Sequence, residues 1–232
     1  TYGGQIDEII SLVHRDQGRS GIVADRDKPP MFHDYLDEAI NSPRGKAVQA
    51  LVEYGRWIIF HQKGKADDEN GALRGGLDAA GALRPLLDWH LQNDNRDAFG
   101  LAVLGTRLNL LMWADPKWTT ENAHAIFGFE LAVDATSSKD PRDWAAWNAF
   151  LIWVPPNKAY YRAFARQFAA AVTCSLVCEA PSTRERRHPM DRLGEHLVML
   201  YVRGDLSLEQ DGQLVRKFIM GAELSIRVHA IS

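Results

Sequence analysis

Two cysteines, eight histidines and a short run of arginines are the side chains in this chain with the chemistry to do more than pack. Cys174 and Cys178 are one helical turn apart, so they share a face. Two thiols fall short of the four ligands of a structural zinc site. Their surroundings, Ala-Ala-Val-Thr-Cys-Ser-Leu-Val-Cys, are apolar, which raises a thiol pKa instead of activating it. The expectation is two small buried residues in a reducing compartment, the cytoplasm being the simplest. The histidines are scattered. No His-Glu-x-x-His occurs, and His188 and His196 lie too far apart to act as a helical pair beside Glu195. Asp67, Asp68 and Glu69 are hard ligands, but successive residues point different ways and the neighbouring lysines mark a solvated loop. The Gly71-Ala-Leu-Arg-Gly75-Gly76 stretch imitates a phosphate cradle, yet no strand precedes it and no Gly-Lys-Ser/Thr follows. There is no Gly-x-Ser-x-Gly elbow. No complete catalytic, cofactor or metal constellation is present, so the prediction is a non-enzyme without a cofactor, any catalysis lying in a domain outside this chain.

Two features are left that can recognise something. Arg184, Arg186, Arg187 and Arg192, with His188, form the densest positive cluster, next to a helix start. They are the candidate partner-binding residues, suited to an acidic protein surface or to a phosphate backbone; the plainer reading is a solvated loop. A net charge of −3 and a pI of about 6.2 give no electrostatic reason to favour nucleic acid. The second feature is the concentration of Trp113, Trp118, Trp144, Trp147 and Trp153 in the middle third of the chain. Packing between helices explains such residues when the indole N–H finds an acceptor; a stacking surface for a ligand is the sharper reading.

The elements that must position these residues are helices. Ile6, Ile9, Ile10 and Val13 share one side of a first helix, and Gln17 to Pro30 reads as a loop. Phe32 to Ile40 reads as a short helix with Phe32, Leu36, Ala39 and Ile40 inward. Ser42 is an N-cap candidate with Pro43 at the first helical position, opening a helix to about Gln62 along Val48, Leu51, Val52, Gly55 and Ile59. Gly45 in its first turn lowers helix propensity, which implies close approach of a neighbouring helix. Lys63 to Gly71 is a polar loop. Leu83 to Gln92 is helical, and Ala98 to Trp113 reads as one strong helix, apolar on two sides and therefore lying between neighbours. Asp115-Pro116 ends it, and Thr119 or Thr120 can cap a short helix carrying Ala123, Ile126 and Phe127. After a loop over Thr136 to Pro141, the spacing predicts helices through Trp144–Leu151, Tyr161–Leu176 and Met190–Val202. A further one is capped by Ser207, with Leu214, Phe218 and Ile219 inward, and a final pattern starts near Glu223.

The fold class expected is all-α: an irregular antiparallel helical array, a HEAT- or TPR-like solenoid first, a multi-helix bundle second. Residues 1–30 read as an N-terminal helix and linker and 31–232 as a helical-repeat-like domain. No run approaches the ~20 apolar residues of a membrane span. The chain starts without Met and stops inside an amphipathic pattern, so the expectation is a piece of a longer polypeptide; an intact natural mass of 26.1 kDa would refute it.

Two segments carry a resemblance: Ala39-Ile40-Asn41-Ser42-Pro43-Arg44-Gly45-Lys46-Ala47-Val48-Gln49-Ala50-Leu51, and Leu108 to Trp113 continuing through Trp118–Asn122, Phe127–Phe129 and Ala145–Leu151. Together they resemble a helical domain of unknown function from the C-terminal part of large bacterial proteins. Some of those carry a sirtuin-like NAD-hydrolysing or nucleotide-binding module and are linked to antiphage defence. Where that family shows a Trp-Gln-Gly-Phe-Leu pattern, this chain has Trp147-Asn148-Ala149-Phe150-Leu151. The resemblance spans roughly residues 32 to 230 and carries over no catalytic residue. It implies a cytoplasmic, non-catalytic scaffold that recognises a protein partner or another domain of the same polypeptide, in a setting of antiviral defence. The alternatives are a helical nucleic-acid-binding module using the arginines around Arg187, and a stand-alone enzyme with an active site dispersed between helices.

Overall fold

The computed structural model describes residues 35–62, 76–81, 83–92, 95–129, 142–177, 189–209, 213–222 and 224–231. The N-terminal helix, the loop to Pro30, Phe32, the 63–71 loop, nearly all of the glycine stretch, the 136–141 loop, Cys178 and Arg184 to His188 lie outside them. The described residues are helical, with no strand among them.

The first helices form as their local chemistry dictates. Helix α1 (Leu36–Ala39) turns directly into α2 (Pro43–Gln62). Ser42 caps α2: its Oγ accepts the Gly45 N–H at 2.9 Å. Gly45 is required, because a Cβ there would fall 1.9 Å from the Ala39 carbonyl oxygen. Ile40, expected inward, is exposed at the C-cap of α1. A 3₁₀ turn (Gly76–Ala80) leads to α3 (Leu83–Leu91).

The helix expected over 98–113 is two, α4 (Ala98–Thr106) and α5 (Leu108–Ala114). Thr106 Oγ1 donates to the Val103 carbonyl at 2.7 Å, and the Arg107 N–H tightens onto Leu104 at 3.0 Å. Such hydroxyl back-bonding competes with the i→i−4 ladder, while Arg107 reaches Glu53 on α2 at 2.9 Å. Asp115 caps α6 (Pro116–Glu121), accepting the Trp118 N–H at 2.9 Å; Thr119 and Thr120, expected to cap the helix of Ala123, Ile126 and Phe127, lie inside α6 and bond backward to carbonyls one turn earlier, and Asn122 stands at the N-cap of that next helix. α7 (Ala123–Phe127) stops at Gly128 with φ +81°, an αL cap.

The C-terminal half comprises α8 (Ala145–Trp153), α9 (Lys158–Ala163), α10 (Ala165–Val177), α11 (Pro189–Val202), α12 (Leu214–Gly221) and α13 (Leu224–Ile231). α9 and α10 were expected as one helix. The break falls at Phe164, whose ring is drawn inward against Phe127 at 5.1 Å and Phe150 at 6.0 Å. Ser207 lies outside α12, which opens instead on Gln213 in the left-handed region (φ 57°). Leu176 and Tyr201, expected inward, are exposed near the ends of α10 and α11.

The centre of the molecule is the pair α4 and α8. Each is buried on nearly every side, as a central helix must be. Their small residues let the backbones meet: a Cβ on Gly105 would lie 2.1 Å from the Ala146 carbonyl oxygen. α4 also packs on α1, α2 and α7, and α8 on α11. Among the described residues the broadest contact joins this pair, α4 and α8, which are not neighbours in the chain. An aromatic layer lies against it, with Trp147 edge-on to Phe127, Phe129 and Phe168 at 5.0–5.6 Å.

Candidate functional site

The segment Asn41 to Gly45 proves to be a docking clamp. With Ser42 capping and Gly45 admitting α1, Arg44 projects across to the start of α4. Its Nη2 donates to the Asn95 carbonyl at 2.6 Å and its Nε pairs with Asp97 Oδ2 at 2.9 Å. Asp97 is the N-cap of α4 and accepts the Gly100 N–H at 2.9 Å. Burial pushes the Asp97 carboxyl up, while the Gly100 N–H and the Arg44 charge pull it back. One carboxylate thus takes the helix-end N–H as a hydrogen bond and faces the Arg44 guanidinium as an ion pair. Beside it, Arg96 faces Asp143 at 3.8 Å, an arrangement seated on Gly128, where a Cβ would fall 2.5 Å from Asp143 Oδ1. These four charges tie α2, α4, the end of α7 and the approach to α8 into one body.

The other candidates are also built into the fold. Trp118, Trp144 and Trp147 are buried; Trp118 Nε1 donates to Asp88 Oδ1 at 2.7 Å and Trp144 stacks on Phe129 at 4.1 Å. His196, on α11, shares a hydrogen bond of 3.1 Å between its Nε2 and the Leu151 carbonyl and faces the Phe150 ring at 5.7 Å. Burial lowers its pKa to about 4, so it is neutral and the nitrogen donates. Cys174 is buried. Of the four partner-binding arginines, Arg184, Arg186 and Arg187 lie outside the described residues. Arg192 is partly buried on α11 and paired with Glu195, so its charge is already neutralised within the helix. Among the described residues no three His, Cys, Asp or Glu side chains gather in a ligand-like group, and no helix is long and apolar enough to cross a membrane.

Among its exposed residues the structure includes several large apolar side chains. Trp153, at the end of α8, is 60% exposed, and Met199 and Val202 face water at the end of α11. Met220, at the end of α12, is 74% exposed, and Leu224 and Val228 lie one turn apart on the outer face of α13. The helical spacing of these residues resembles that of core residues, so only the packing separates Trp153 from Trp147. Neither a family model, nor a curated protein, nor a solved structure matches this chain.

Proposed function

We propose that the chain is a non-catalytic helical scaffold that recognises a protein partner or another domain, as part of a larger cytoplasmic bacterial protein serving antiviral defence. The observation that carries the partner-recognition reading is the division of labour among side chains. The interior charges Arg44, Asp97, Arg96 and Asp143 hold helices to one another. Large apolar side chains, including Trp153, Val202, Met220 and Leu224, remain in water on helix ends and outer faces. Exposed tryptophan and methionine suit partner binding: one is a rigid anchor, the other an adaptable filler. The bacterial and defence setting rests on the resemblance of the 39–51 and 108–151 segments alone.

The test is site-specific photo-crosslinking in the producing cells, with a benzophenone side chain at Trp153 or Val228 and, as control, at the exposed Lys117 of α6. The scaffold reading expects a discrete protein adduct from one of the first two positions and none from Lys117. Uniformly adduct-free chains would refute it.

A further inference from the structure

We draw no further inference here: the strongest candidate, the outward apolar face of α13 where Leu224 and Val228 stand exposed one helical turn apart, carries none because nothing in the structure shows what covers it.

Discussion

Gly105→Ala tests the claim that α4 and α8 meet backbone to backbone. On an isolated helix this change is favourable by about 1 kcal/mol, because glycine is the poorer helix former. In this structure the new Cβ would lie 2.1 Å from the Ala146 carbonyl oxygen, 2.8 Å from its carbon and 2.9 Å from its Cα. An ordinary contact begins near 3.4 Å, so the helices must part by about 1 Å along a seam where both are fully buried. Overpacking with side-chain neighbours costs about 1–3 kcal/mol. Here all three neighbours are backbone atoms that cannot rotate aside, so the clash exceeds the propensity gain and a net loss of about 3 kcal/mol or more is expected. For a chain of this size that lowers Tm by roughly 6–12 °C. Urea unfolding followed by far-UV circular dichroism measures it. The decisive partner is Ala146→Gly: because the obstruction is the Ala146 backbone, removing its methyl group restores nothing. A Gly105→Ala loss under about 1 kcal/mol, or rescue by Ala146→Gly, would refute the backbone contact.

Three further outcomes follow from other sites. His196 has its pKa lowered from 6.5 to about 4 by burial, so the unfolded chain takes up its proton first as pH falls. Its contribution is complete above about pH 6.5 and is lost between there and about pH 4, near 3 kcal/mol in all. His196→Gln, which can still donate to the Leu151 carbonyl, should flatten that part of the stability-against-pH curve, and an unchanged slope would count against the assignment. Arg44→Met strands a buried Asp97 and should cost about 3 kcal/mol, whereas Arg44→Met with Asp97→Asn should recover part of it; chemical denaturation of the full double-mutant cycle gives the coupling, and strict additivity would contradict the clamp. Gln213 is exposed, holds φ 57° and makes no side-chain cap bond, so Gln213→Gly should raise stability by up to about 1 kcal/mol; a fall in Tm would show that the left-handed turn is not strained.

Much of the scaffold was legible along the chain. The Ser42-Pro43 helix start, the stripe Val48, Leu51 and Val52, the stop at Asp115-Pro116 and the two-sided burial of α4 all follow from capping chemistry and 3.6-residue spacing. The breaks at Arg107 and Phe164 did not follow. Both arise from groups acting across space: Arg107 extends to Glu53 and Phe164 turns into the aromatic layer. Thr119 and Thr120 fall inside α6 because that helix already starts at Asp115-Pro116, where the Asp115 carboxylate accepts the Trp118 N–H and, at 3.2 Å, the Leu77 N–H of the 3₁₀ turn.

The candidate surface shows the same division. The sequence by itself determined that the chain is helical, where several helices begin or end, and that the tryptophans gather in its middle third, because propensity, caps and periodicity are local properties. It also drew attention to Gly45, whose cost in the first turn of a helix implies a close neighbour. Only the tertiary structure decided that Arg44 is a buried clamp, that Arg192 is neutralised by Glu195, and that Trp147 is buried while Trp153 stands in water. Those outcomes depend on which helix covers which face. α4 and α8 pair through Gly105 and Ala146, residues too small to announce themselves in a hydrophobic pattern, and that contact helps decide which apolar residues are covered and which stay exposed.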